Sequence, residues 1–407
     1  MRSWMVILAW ILLVRVTFAA PEDPGPLPSE DFEGGSLDLA GAQISVKVYA
    51  PLGSSASPLL TLMHGLQRNG SFHADLARTL ASRGFVVLVP DMPCSVLSCD
   101  HDANAAQLSA LIDWGLAQNT TSGLRLFGRI DPDRIGVLGH SWGGLASTLL
   151  AGQDARVDAL VALDPNDDRG IAAGRAASVA IPSAHLMATL PGRCNGTWPT
   201  AVFPTTSEPH LLVRIARAGH CDVESPTNAL CDLACGNGDR STTPYFRRYA
   251  VAFLSCVLQA DRAMGPYVGG DALGDDQTQG IVLEVASGGL AALPCRSSLA
   301  DAGTTDTPAA QATDAQAIDV GEDVAEDGAP DRALSDVPID AEVSMVDAGA
   351  STDAGATLDA AGDGADASEG PGPTPASSRG CGCRESKRGP SLSWLLVLAL
   401  LVRRARG

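Results

Sequence analysis

Positive charge is scarce in this sequence. Its 407 residues hold 28 Lys and Arg against 47 Asp and Glu, with no basic patch or stripe of the kind that neutralises phosphates, so nucleic acid is excluded as a partner. A long apolar run is also missing. The two terminal stretches, 4–14 and 392–402, fall short of the roughly 20 residues that a membrane-spanning helix needs. Aromatic residues make up only 4% of the chain, and residues 301–380 contain none, which excludes a packed core there. That segment carries 18 acidic and two basic residues, so most of the net charge of −19 sits in it and the rest of the chain is close to neutral.

What is present divides the chain into five parts. Residues 1–20 have the pattern of a secretory signal: Arg2, an apolar run, then the small residues Thr17, Ala19 and Ala20 before Pro21. Residues 21–36 form an N-terminal extension. From 37 to 295, short apolar runs alternate with amphipathic stretches, which predicts an α/β fold with a mostly parallel central sheet covered by helices on both faces. Strands are predicted at 59–63, 85–89, 134–139, 159–163, 184–188 and 210–215, and helices at 72–82, 103–117, 142–150 and 245–259. Residues 296–380, rich in Ala, Asp and Gly, read as a disordered acidic linker. Their aspartates are too irregularly spaced for a calcium-binding repeat.

Residues 381–407 change character again. Gly380-Cys381-Gly382-Cys383 precedes Arg384, Lys387 and Arg388, the apolar stretch 392–402, and Arg403-Arg404-Ala405-Arg406. A short hydrophobic segment with a positive stop orients its basic end inside. This tail resembles the myxobacterial C-terminal sorting tag. The resemblance implies processing near Cys381, attachment through that residue, and retention at the bacterial cell surface or outer membrane by the tail or an attached lipid.

The chemistry-bearing motif is Gly139-His140-Ser141-Trp142-Gly143, entered from the apolar run 134–139 and followed by a helix of small residues. This is the context of a nucleophile elbow, in which Gly139 and Gly143 lack the Cβ atoms that so sharp a turn would bring together and Ser141 projects from the sheet edge. Trp142 then offers its backbone N–H at a helix N-terminus, where an oxyanion is stabilised. The strand 59–63 ends in His64-Gly65-Leu66, making the Leu66 N–H the expected second donor and His64 a structural residue. A serine hydroxyl needs a base. His220, in the loop after strand 210–215, fits best, whereas His185 and His210 fall on strands and His140 points elsewhere on the elbow. The loop 189–194 holds no carboxylate, so the acid is sought one strand earlier, at Asp164, with Asp167, Asp168 and Asp222 as alternatives.

Taken together, Leu62-Met63-His64-Gly65, residues 81–87, the elbow, Leu163-Asp164-Pro165 and Gly219-His220 resemble the chlorophyllase and polyester-hydrolase branch of the α/β-hydrolases, which includes cutinase-like and dienelactone-hydrolase-related enzymes. The resemblance covers roughly residues 46–258. It implies a Ser141–His220–Asp164 triad hydrolysing a small-molecule or lipid-like carboxylic ester through an acyl-enzyme, with no cofactor and no metal. The chlorophyllases place the acid in an Asp-Pro matching Asp164-Pro165. Polyester hydrolases carry aromatic residues where this chain has Leu66 and Asp164-Pro165, so the aromatic candidates near the site are Trp142 and Trp198. A silent binding module on the same fold and a narrow amidase are the competing readings.

Eight cysteines fall between 37 and 295, an even number that reads as disulfides in an exported domain. Cys94 and Cys99 close one tight loop. Cys194 is placed to reach the histidine loop through Cys221 or Cys235, with Cys231 as the fourth member of that set. Cys256 with Cys295 would tie the last helix to the domain's end, as in the polyester hydrolases. The spacing of Cys231 and Cys235, without a second regular ligand pair, argues against zinc. Oligomeric state is not legible.

Overall fold

Four strands buried along their whole length, at 57–63, 86–90, 159–163 and 183–188, lie at the centre of the molecule. In the computed structural model the described residues are 19–296, apart from 54–55, 96–98 and 195. All fall within one unit, Met1–Thr313. Of the signal expected at 1–20, residues 1–18 lie outside the described residues, as do the expected linker from 297 onward and the tail with Cys381.

In chain order the elements are β1 (Ser29–Leu39), β2 (Ala42–Pro51), β3 (Ser57–Met63), α1 (Ala74–Ser82), β4 (Val86–Pro90), α2 (His101–Thr120), β5 (Ile130–His140), α3 (Trp142–Ala151), β6 (Ala159–Leu163), α4 (Ile171–Arg175), β7 (Ser183–Ala188), α5 (Trp198–Ala201), β8 (His210–Ile215), α6 (Ala229–Cys235), α7 (Thr243–Leu258), α8 (Asp271–Thr278) and β9 (Val282–Gly288). One nine-stranded sheet has the order β1-β2-β4-β3-β5-β6-β7-β8-β9. Pairing is parallel from β4 through β8 and antiparallel at β1–β2, β2–β4 and β8–β9. This is the α/β-hydrolase fold.

The strand period of two sorts the core into two layers. Along β3, Leu60 and Leu62 face a cluster with Leu80 of α1 and Tyr249 and Phe253 of α7. Leu59 and Met63 face the opposite cluster, with Leu108 and Ile112 of α2 and Leu145 and Leu149 of α3. All four β3 side chains are fully buried, and truncating any one to alanine removes about 2–5 kcal/mol.

Each predicted strand and helix is present, most with ends moved by a residue or two. The differences lie at the margins. β1 begins at Ser29, inside the stretch read as an N-terminal extension, and pairs along its length with β2. Upstream of it, Arg248 holds Glu22 through a two-pronged ion pair. The extension is therefore part of the folded unit.

Among the described residues four disulfides form: Cys94–Cys99, Cys194–Cys235, Cys221–Cys231 and Cys256–Cys295. The bridge from Cys194 thus goes to Cys235, and Cys221 pairs with Cys231.

Candidate active site

The C-terminal ends of β3, β5, β6 and β8 converge on one sheet edge. β5 runs into Ser141, which takes φ 57° and ψ −122° as N-cap of α3. A non-glycine residue at positive φ is strained, and here the strain turns the chain from strand to helix around the serine. The turn leaves no room at its flanks: a Cβ on Gly139 would collide with the Gly143 carbonyl, and one on Gly143 would lie 2.5 Å from the Met63 and His64 carbonyl oxygens. Ser141 N–H donates to the Leu163 carbonyl at 3.1 Å, tying the elbow to the end of β6.

Asp164 directly follows β6, at φ 37°. Its N–H donates to the Leu186 carbonyl at 2.7 Å, and its Oδ1 accepts the Ala188 N–H at 2.7 Å. Its Oδ2 accepts from His220 Nδ1 at 2.6 Å. Because a carboxylate only accepts, Nδ1 carries the proton and Nε2 of His220 keeps its lone pair. Both groups are buried, Asp164 at 1% and His220 at 4% exposure.

The alternative acids are engaged elsewhere. Asp167 caps α4 through the N–H groups of Ala172 and Ala173. Asp168 lies 3.3 Å from His101 Nε2. Asp222 accepts the N–H groups of Gly219 and Asp239, each at 2.7 Å, and pairs with Arg240 at 2.6 Å, which fixes the histidine loop from within. The loop after β7 supports that loop too, since the N–H groups of Thr189 and Leu190 both donate to the Ala218 carbonyl.

The second flank of Ser141 is the turn Gly65–Arg68, closed by Arg68 N–H to the Gly65 carbonyl at 3.2 Å. A Cβ on Gly65 would come within 3.0 Å of Ser141 Cβ and 3.5 Å of its Oγ, so the loop lies directly against the serine. Among the described residues the Leu66 N–H has no acceptor. That of Trp142, first in α3, has none within its helix. Both ring nitrogens of His64 are engaged within the protein: Nδ1 donates to the Gly65 carbonyl at 2.8 Å and Nε2 accepts the Met92 N–H at 2.9 Å. Burial holds its ring below the ordinary histidine range.

The structure also shows contacts around the site that no sequence pattern indicated, and adds His101 to its surroundings. His140 donates from Nε2 to the His220 carbonyl at 3.0 Å and lays its ring 4.6 Å from the His220 ring. Burial, then the neighbouring His220, pushes its pKa well down. Trp142 packs edge-on against His101 at 5.0 Å. Trp198 is fully buried and donates to His185 Nδ1 at 2.9 Å, so it belongs to the core rather than to a substrate surface. Cys194, Cys235 and His220 bring ligand-type atoms within 4.8 Å of one another. Both sulfurs are taken up in a disulfide, which leaves no thiolate for a metal.

The PET hydrolase-like family model matches residues 45–185. Cutinase est1 of Thermobifida alba is 31% identical over 163 residues, covering 36% of this chain and 52% of that enzyme. Cutinase 2 of Thermobifida cellulosilytica is 30% identical over 118 residues, 29% of this chain and 43% of that enzyme. Lipase 1 of a Moraxella species is 37% identical over 90 residues, 22% of this chain and 26% of that enzyme. The chain spans about half the length of the first of these relatives. Together with the fold, these matches support the polyester-hydrolase branch of the α/β-hydrolases.

Proposed function

We propose that the protein is a serine hydrolase of carboxylic esters, with Ser141 as nucleophile, His220 as base and Asp164 as the acid that orients it. The observation that carries this is the 2.6 Å bond from His220 to a buried Asp164 at the same sheet edge as the strained Ser141. His220 Nε2 takes the Ser141 Oγ proton as Oγ adds to the ester carbonyl carbon. The resulting oxyanion accepts hydrogen bonds from the Leu66 and Trp142 N–H groups. His220 returns the proton to the departing alcohol, leaving an acyl-Ser141. Water, deprotonated by His220, then releases the acid and restores the serine.

With Trp198 in the core and Leu66 aliphatic, the site has Trp142 as its nearby aromatic side chain, which favours small or lipid-like esters over a flat aromatic polymer. The test is hydrolysis of a chain-length series of p-nitrophenyl esters by the full chain, folded oxidatively, beside Ser141→Ala. A loss of more than about 1,000-fold in the variant is expected. Equal rates in the two proteins would end the serine reading.

The proposed setting is outside the cytoplasm. Four disulfides suit an oxidising compartment, as does the signal pattern at 1–20. No helix among the described residues is long and apolar enough to cross a membrane. Retention is assigned to Cys381 and the tail, with 296–380 as an acidic spacer. Cys381→Ser should move the protein from the cell surface into the medium, and unchanged surface retention by fractionation would refute that attachment.

A further inference from the structure

The two loops that flank Ser141 meet at one buried ion pair. Arg68 closes the turn that carries Leu66, and Glu224 lies on the histidine loop just beyond His220. The guanidinium donates to both carboxylate oxygens, Nε to Oε1 at 2.7 Å and Nη2 to Oε2 at 2.5 Å. The two side chains are 10% and 0% exposed. A solvated pair of this kind contributes little, but at this burial the loss of one partner leaves an uncompensated charge.

Glu224 collects further contacts from both sides. Thr227 Oγ1 donates to its Oε2 at 2.7 Å, and His140 Nδ1 lies 3.8 Å from its Oε1. The other nitrogen of His140 holds the His220 carbonyl. Arg68 also reaches Asn228 Oδ1 at 3.2 Å and stacks over Phe72, its guanidinium carbon 3.5 Å from the ring centre. Beyond the pair, Ser225 N–H donates to the Phe72 carbonyl at 2.8 Å, and the Asp75 N–H donates to the Ser225 carbonyl at 3.1 Å. On its far side the Leu66 turn is fixed by Gln67 N–H to the Cys94 carbonyl at 3.0 Å. An oxyanion donor and the general base thus stand on separate loops, and the Arg68–Glu224 pair is the side-chain bridge between them.

We propose that Glu224, clamped by Arg68, is a positioning residue that holds the Leu66 N–H and the His220 ring in register for the transition state. This rests on the Ser141 hydrolase reading given above. Both groups act on charge that develops during reaction, so their misplacement lowers kcat rather than substrate affinity. A shift of about 1 Å in such a site costs up to roughly 100-fold.

The experiment uses the full chain, oxidised, with p-nitrophenyl butyrate as substrate and a p-nitrophenyl phosphonate to count reactive serines, so that kcat is expressed per titrated site. Glu224→Gln keeps the shape and removes the charge, Arg68→Ala removes the clamp, and Arg68→Lys keeps the charge without the planar fork. Glu224→Gln and Arg68→Ala are expected to lower kcat about 10- to 100-fold with KM within about twofold. Arg68→Lys is expected to recover part of the loss, and the double variant to be no worse than its more damaged parent, because the two residues act as one unit. Should Glu224→Gln yield no titratable site, the two Arg68 variants decide the matter. Titrated sites that turn over within about twofold of wild type, even in a protein whose melting point has fallen, would reduce the pair to a structural role. Activity surviving in Ser141→Ala would instead defeat the hydrolase reading beneath it, and the two failures are distinct.

Discussion

Asp164 uses both carboxylate oxygens inside the protein, one on the Ala188 N–H and one on the His220 ring. That division matters for the proposed chemistry. The Ala188 bond fixes the carboxylate plane, and the fixed plane selects the histidine tautomer whose bare Nε2 can accept a proton. Replacing Asp164 by Asn keeps the size of the group but lets its amide nitrogen face Nδ1, which favours the opposite tautomer. Asp164→Asn is therefore expected to reduce kcat by about 10,000-fold without unfolding the protein. Asp167→Asn, which touches only the start of α4, is expected to leave kcat within about twofold. Reading both rates on one p-nitrophenyl ester tests the assignment, and a large loss at Asp167 with little at Asp164 would reverse it.

Elements differ in how plainly their sequences announce them, and the difference follows burial. β3, β4, β6 and β7 are apolar on both faces and stand out as short runs. The elbow shows because its chemistry permits few residue types. By contrast β1, with Glu30, Asp31, Glu33 and Asp38 along it, and β9, fully buried only at Val282, have partners on one side only, and neither presents a clear apolar run. The position of Asp164 could be reasoned out because loop 189–194 lacks a carboxylate and the neighbouring strand ends in Asp-Pro. The Arg68–Glu224 bridge could not, because no local pattern relates two residues 156 positions apart.

The histidine loop and α6 show how such elements are held without a large core of their own. α6 is seven residues long, with Leu230 and Leu233 exposed, and is stapled at Cys231 to Cys221 and at Cys235 to Cys194. Closing a longer loop removes more entropy from the unfolded chain. Replacing the Cys194–Cys235 pair by alanine should therefore cost about 4 kcal/mol, against about 2 kcal/mol for the Cys94–Cys99 pair. The sequence separations are 41 and 5. Urea unfolding of the two variants gives the comparison, and a larger loss for Cys94–Cys99 would contradict it.

For the whole molecule, buried histidines set the response to acid. Burial, with smaller contributions from His64 and Arg68, pushes the His73 ring down to about 3. Burial, then His210, pushes His185 down to about 3 as well, and His140 also lies well below its ordinary value. In the unfolded chain each takes up a proton near pH 6.5, whereas in the folded protein His73 and His185 stay neutral until about pH 3. Between those limits the unfolded state binds more protons, so stability is full above pH 6.5 and falls as the pH drops. The slope approaches about 1.4 kcal/mol per pH unit for each such ring. Neither ring nitrogen of His73 has a hydrogen-bond partner among the described residues, so phenylalanine there removes a titrating group without orphaning another. His73→Phe is expected to match or exceed wild-type stability at pH 7 and to lose less between pH 6.5 and 4.5, as read from urea midpoints. An unchanged slope in that variant would mean that His73 is protonated in the folded protein, which its burial beside His140 and its lack of any acceptor oppose.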